Sequence, residues 1–264
     1  MAKTIHRIHL FGLDFISAAS HHEFLGELVN YPNIPAYQNL SKLPLVITPN
    51  ADQIVQLDEP QFRTLKEQLS QCLFILPDGQ PIVWFSRLIG KPLQARLTGS
   101  DLFPLVWQTA KQHQQKVFII VSHEELGIKL KQDYDNIIYY TPEFFNPLKD
   151  NGLFEKVCTE IIEKISEFKP HYVIVGIGFP KQELLSLAVH ASLVKQQLNS
   201  PLFLLLGASA EFYVGTKKRA PVFLQKMGLE WLHRLSQEPR RLWKRYILGA
   251  WRLLHIFIKN YSKE

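Results

Sequence analysis

Tyr172-Val173-Ile174-Val175-Gly176-Ile177-Gly178-Phe179-Pro180-Lys181-Gln182-Glu183 is the stretch from which the fold can be read. Its first four residues are apolar and β-prone without alternation, the pattern of a strand covered on both faces. A Gly-x-Gly turn follows, then a proline suited to the first turn of a helix, then three polar residues. Strand, glycine turn and helix in this order form the first half of a βαβ unit.

The same rhythm recurs on both sides. Strand-like runs lie at 8–11, 45–48, 73–76, 117–121, 136–140 and 202–206, and helical patterns at roughly 19–30, 60–71, 80–90, 101–114, 150–168 and 180–197. The alternation predicts an α/β fold: a mostly parallel sheet flanked by helices, Rossmann-like, with right-handed crossovers. Ligands of such folds sit at the carboxyl ends of the strands, which is where chemistry is to be sought. After Leu206 the character changes. A small-residue turn, Gly207-Ala208-Ser209-Ala210, and a basic linker, Thr216-Lys217-Lys218-Arg219-Ala220-Pro221, lead into a helical, basic remainder. The expected division is an α/β domain over 1–215 and a basic helical appendage over 216–264.

Composition supports this and removes several classes. With 264 residues, 46% of them hydrophobic and 20% charged, the chain can bury a sizeable core. The net charge of +6 is uneven: residues 217–264 hold 12 Lys/Arg against 3 Glu, a local +9, and the rest is slightly acidic. Two cysteines, Cys72 and Cys158, exclude a disulfide scaffold and a cysteine-based zinc site. Met1 to Arg7 reads as the approach to a short strand, not as the apolar centre of a signal peptide. No apolar run reaches the ~18–20 residues a membrane-spanning helix needs.

Four segments stand at expected strand ends. In Thr48-Pro49-Asn50-Ala51-Asp52 the Thr hydroxyl and Asn amide can donate to phosphate or sugar oxygens, and either can equally cap the next helix. Asp78, in Pro77-Asp78-Gly79, is placed as a general base would be, although a turn or cap is the more ordinary reading of position alone. Arg96-Leu97-Thr98-Gly99-Ser100-Asp101 joins a guanidinium, a glycine open to close approach and a helix start that favours phosphate. The fourth is the glycine turn quoted first, where Lys181, Gln182 and Glu183 project beside Gly176 and Gly178, or form a solvated first turn. Asp133-Tyr134-Asp135 and His21-His22 lack the partners a metal site needs. Neither a nucleophile elbow nor a Walker loop is present, and no metal or cofactor is expected.

Taken together and in this order, the segments resemble the WecG/TagA/CpsF family of bacterial glycosyltransferases (glycosyltransferase family 26). Further carriers are Gly215-Thr216-Lys217-Lys218-Arg219-Ala220-Pro221, Gly228-Leu229-Glu230-Trp231-Leu232-His233-Arg234-Leu235 and Glu238-Pro239-Arg240-Arg241, so the likeness runs from about residue 8 to 245. The resemblance implies metal-independent, inverting transfer from a UDP-sugar to an undecaprenyl-diphosphate-linked saccharide. The family's best-known donors are UDP-N-acetylmannosamine and its uronic acid; another UDP-hexose or uronic acid in capsule or exopolysaccharide assembly is the alternative. Asp78 matches the family's general base. Thr48, Asn50 and Gln182 match residues around the sugar and reaction centre, and Arg96, Gly176 and Gly178 match donor contacts. Asp52, Gly99, Lys181, Glu183, Arg219, Glu230, Arg234, Arg240 and Arg241 lie in the matched segments as further binding candidates. One departure stands out: where the family has a glycine-rich turn, this chain reads Val121-Ser122-His123-Glu124-Glu125.

The residues suit such chemistry. Inversion needs one in-line displacement, with a base on the acceptor's side and positive charge on the departing diphosphate. The appendage is also patterned. At ~100° per residue, Trp243, Tyr246, Ile247, Ala250, Trp251, Leu253, Leu254, Phe257 and Ile258 share one arc, with Arg241, Lys244, Arg245, Arg252, His255 and Lys259 opposite. This predicts a helix lying on an anionic membrane, which would make the protein peripheral on the cytoplasmic face of the inner membrane. The rival is a helix packed on the domain with a solvated basic face. A nucleic-acid-binding protein would leave the strand-end motifs unexplained; a nucleotide- or sugar-binding protein without catalysis is a further alternative, which a transfer assay of Asp78→Asn separates.

Overall fold

The computed structural model describes residues 6–226, 228–237 and 239–261, apart from the side chains of residues 226, 234, 237, 241, 242 and 244–248. Eight strands are found among them: β1 (His6–Leu10), β2 (Leu13–Ser17), β3 (Leu43–Ile47), β4 (Cys72–Ile75), β5 (Val117–Ile120), β6 (Ile137–Tyr140), β7 (Tyr172–Val175) and β8 (Leu202–Leu205). They are mostly parallel and flanked by helices, the α/β class expected from the alternation. The chain divides into two compact units.

The unit made of 29–47 and 99–217 carries β3, β8, β7, β5 and β6, side by side in that order and all parallel. Ile47, Leu205, Val175, Ile120 and Tyr140 form one row across the five strands, so all five reach their carboxyl ends at the same level. Every residue of β5, β7 and β8 is buried, which is why these runs read as unbroken apolar stretches rather than alternating ones. The helices Gly99–Gln112, Glu124–Asp133, Asn151–Phe168 and Lys181–Lys195 belong to this unit. Asp133, the last residue of its helix, accepts hydrogen bonds from Trp107 Nε1 (2.7 Å), Lys111 Nζ (2.8 Å) and Tyr213 OH (3.0 Å). Its carboxylate therefore ties the helix Ser209–Tyr213 to Gly99–Gln112 and Glu124–Asp133.

The other unit, 1–28, 48–98 and 218–264, holds β1, β2 and β4. β1 and β2 are an antiparallel hairpin, and β2 runs parallel to β4. The sequence pattern missed β2, because the turn from β1 has no Asn-Gly or Asp-Gly signal. Phe11 itself occupies positive φ (58°) and lies 98% buried, its ring stacked on Phe85 (5.1 Å) and Phe257 (5.5 Å). Burying a ring offsets a backbone cost of roughly 1–2 kcal/mol.

Several helices were also missed, Pro35–Gln38 and Ser209–Tyr213 among them because each is little more than one turn. Ala51–Leu57 is only two turns long. Glu124–Asp133 buries Leu126, Gly127 and Leu130 alone, too narrow an apolar stripe to register as a period. The helix Pro239–Tyr261 is amphipathic as expected, but its faces are differently used. Ile256, which is not on the apolar arc, is buried. Phe257 leaves that arc to stack on Phe85 at 4.2 Å. Of the basic face, Arg252 pairs with Glu59 (2.8 Å) and Lys259 with Asp58 (3.5 Å), so the helix docks on its own unit through charges the sequence placed in water or lipid. No helix among the described residues is long and apolar enough to cross a membrane.

Candidate active site

In the unit of 1–28, 48–98 and 218–264, three of the strand-end segments are laced together by backbone hydrogen bonds. The Asp78 N–H donates to the Pro49 carbonyl (3.3 Å), and the Leu97 N–H donates to the Pro77 carbonyl (3.0 Å). Segments some twenty and thirty residues apart thus become adjacent strips at the carboxyl end of β4. Pro77 is buried and Asp78 half-buried, so the carboxylate is presented from a fixed backbone into a partly desolvated setting. The strip carrying Arg96 is held again at each end. Gln94 N–H donates to Ser17 Oγ (3.2 Å), Gln94 Nε2 donates to the Ser17 carbonyl (2.8 Å), and His21 Nε2 donates to the Thr98 carbonyl (3.2 Å).

Asn50 makes a capping box with Gln53. Its Oδ1 accepts from the Gln53 N–H (3.1 Å), and Gln53 Oε1 accepts from the Asn50 N–H (2.9 Å). The cap engages Oδ1, and the Nδ2 hydrogens of Asn50 are the donors it can offer a substrate. Asp52 is turned along the same helix, accepting from Gln56 Nε2 (2.6 Å). Half-buried Thr48 stands directly after β3.

Arg96 Nη1 lies 3.1 Å from Glu230 Oε2, and Arg219 Nε lies 3.4 Å from Glu230 Oε1. All three side chains are at most 22% exposed. Two guanidiniums thus meet one carboxylate in a partly desolvated place, a grouping of positive charge suited to an anion. The appendage also packs closely on the helix after Asp78: a Cβ on Gly228 would stand 2.7 Å from Gln80 Cβ, so only glycine fits. Arg240 is exposed in the first turn of its helix. The side chains of Arg234 and Arg241, and Glu238 entirely, lie outside the described residues.

In the unit of 29–47 and 99–217, the glycine turn follows β7. A Cβ on Gly176 would meet the Gly207 carbonyl oxygen at 3.0 Å, and Gly178 takes φ +80°. The helix Lys181–Lys195 begins just beyond. Gln182 and Glu183 are each 97% buried, not a solvated first turn. Gln182 Oε1 accepts from the Gly178 N–H (3.3 Å), and Gln182 Nε2 donates to Glu183 Oε1 (3.0 Å). Burial pushes the Glu183 carboxyl up to about 7, against the smaller opposing effect of the Gln182 bond. The Lys181 ammonium sits over the Phe144 ring (3.8 Å from its centroid), and burial lowers its pKa.

Gly99 begins the helix Gly99–Gln112 and is buried, two residues before the start expected at 101. After β5, where a glycine-rich turn was missing from the pattern, side chains take its place. Ser122 Oγ donates to Glu211 Oε1 (3.2 Å), His123 Nδ1 lies 3.8 Å from the same oxygen, and Lys217 Nζ is 2.6 Å from Glu211 Oε2. The sequence reading passed over Glu211. The one available signal was an acidic residue four places after the small-residue turn that closes β8 begins.

The sequence profile of the Glycosyl transferase WecG/TagA/CpsF family matches residues 9–264. The chain belongs to this family. The likeness drawn from the strand-end segments is borne out, and with it the reading of an enzyme. Among relatives of this WecG/TagA/CpsF glycosyltransferase is the N-acetylglucosaminyldiphosphoundecaprenol N-acetyl-beta-D-mannosaminyltransferase of Staphylococcus aureus (strain MRSA252). It is 28% identical over 261 residues, covering 97% of this chain and 92% of that protein. The protein of the same name from strain MW2 matches to the same extent.

Proposed function

We propose that this WecG/TagA/CpsF glycosyltransferase moves N-acetylmannosamine from a UDP-sugar onto N-acetylglucosaminyldiphosphoundecaprenol, with inversion and without a metal. The observation that carries this reading is the near full-length match to relatives bearing that name. The sites described above supply suitable groups. Asp78 Oδ takes the proton of the acceptor hydroxyl as its oxygen attacks the anomeric carbon, while the bond from that carbon to the diphosphate oxygen breaks and UDP leaves. Arg96 and Arg219, sharing Glu230, offer positive charge to a diphosphate. Thr48, Asn50 and Gln182 offer donors to sugar oxygens, and the Gly176–Gly178 turn offers backbone to the donor.

The appendage serves location in this reading. Trp243, Trp251, Leu254, Ile258 and Tyr261 are each 47–71% exposed, and at 100° per residue they fall within about 80° of arc. That stripe lies opposite the docked Arg252 and Lys259, so it faces outward for an acidic lipid surface, on the cytoplasmic side where a lipid-linked acceptor is reached. Incubation with UDP-N-acetylmannosamine and a short-chain lipid diphosphate N-acetylglucosamine tests the reaction. The expected result is a product heavier by one N-acetylhexosamine, formed equally in EDTA. Transfer only from a different UDP-sugar would replace the donor, and transfer from none would end the reading.

A further inference from the structure

Gln182 is held on both sides by groups that each allow only one arrangement. The Gly178 N–H can only donate, so it selects Gln182 Oε1. Glu183 Oε1 accepts from Gln182 Nε2, and the reversed amide would set an oxygen against that carboxyl oxygen and an N–H against an N–H. The side-chain amide plane is therefore fixed, and with it the direction of the second Nε2 hydrogen. Glu183 is itself 97% buried, and its other oxygen, Oε2, has no hydrogen-bond partner. A carboxyl group desolvated at such cost, with Gln182 as its side-chain partner and Oε2 unpartnered, is poorly explained by helix stability. A surface residue in this first helical turn would have served stability better.

We propose that Glu183 is a positioning residue: it touches no substrate, and by accepting one Nε2 hydrogen of Gln182 it aims the other at a substrate oxygen beside the Gly176–Gly178 turn. The inference rests on the reading of Gln182 as a contact near the reaction centre. Oε1 can accept whether or not Oε2 carries a proton, so the orientation persists across neutral pH. It also separates the two polar residues after Lys181: one meets the substrate, the other sets its angle.

A double-mutant cycle on the full chain tests this, with kcat and KM measured for each variant and folding checked by thermal melting. Glu183→Leu keeps apolar volume and removes the acceptor, and a drop in kcat of about 10- to 100-fold is expected, with KM changing less. Glu183→Gln retains an acceptor and is expected to recover most of that loss. In the Gln182→Ala background, Glu183→Leu should cost nothing further. A full, additive loss in that background would overturn the proposal, since Glu183 would then act by another route. Failure of Glu183→Gln to recover activity would overturn it as well. Wild-type turnover of Gln182→Ala alone would instead remove the underlying reading of Gln182. Should Glu183→Leu not fold, Glu183→Met, unbranched and equally without an acceptor, carries the same comparison.

Discussion

Arg96 and Glu230, 134 residues apart in the chain, meet at 3.1 Å with side chains only 15% and 21% exposed. The guanidinium follows the strip pinned beside Asp78, and the carboxylate opens a helix of the appendage. The contact therefore links the appendage to the strand-end segments within one unit, and Arg219 joins it from the linker. Replacing Glu230 by Gln leaves two guanidiniums facing a neutral amide. A loss of about 1–3 kcal/mol is expected, seen as a lower melting temperature, together with a several-fold higher KM for the UDP-sugar. Melting curves and donor saturation curves check both.

The Asp78 N–H donates to the Pro49 carbonyl, a backbone bond that Asp78→Asn keeps. With Asp78 as the proposed base, Asp78→Asn is expected to slow transfer by about 10²- to 10⁴-fold in protein that still melts cooperatively. Product mass over time is the measurement. A rate equal to wild type would remove Asp78 as the base.

The buried Glu183 carboxyl makes stability depend on pH in the direction opposite to an ordinary paired carboxylate. Its pKa is raised to about 7 from an ordinary 4.5. Between those values the folded chain keeps a proton that the unfolded chain has lost, so stability falls as pH rises through this window. The contribution is at most about 3 kcal/mol. Glu183→Gln should melt with a shallower decline between pH 5 and pH 8 than wild type.

Trp251 and Ile258 are 71% and 60% exposed on the outward stripe of the last helix, while Phe257 and Ile256 face inward. Trp251→Glu with Ile258→Glu should abolish flotation with vesicles rich in acidic lipid and leave melting unchanged. Phe257→Ala should do the reverse, lowering stability by about 3 kcal/mol through loss of a packed ring. Equal flotation of wild type and the double variant would end the membrane reading of this face.

Short-range pattern decided much of this. A strand is recognisable when its residues are apolar throughout, as in β5, β7 and β8, and a glycine turn before a polar helix start marks a carboxyl end. The strand-end segments, the family likeness and the basic appendage were all legible in this way. Where the period was short or the turn unusual, as at Glu124–Asp133 and Phe11, local pattern was silent.

What tertiary structure alone decided is which charges meet. Nothing near Arg96 in the chain indicates Glu230, and nothing near Arg252 or Lys259 indicates Glu59 and Asp58. Nor does the order Lys181-Gln182-Glu183 say that the last two turn inward and clasp one another. A hydrophobic period is a property of neighbours in sequence, fixed by helical and strand geometry. An ion pair or a buried amide clamp depends on distance and desolvation, and both come into being only when remote segments pack.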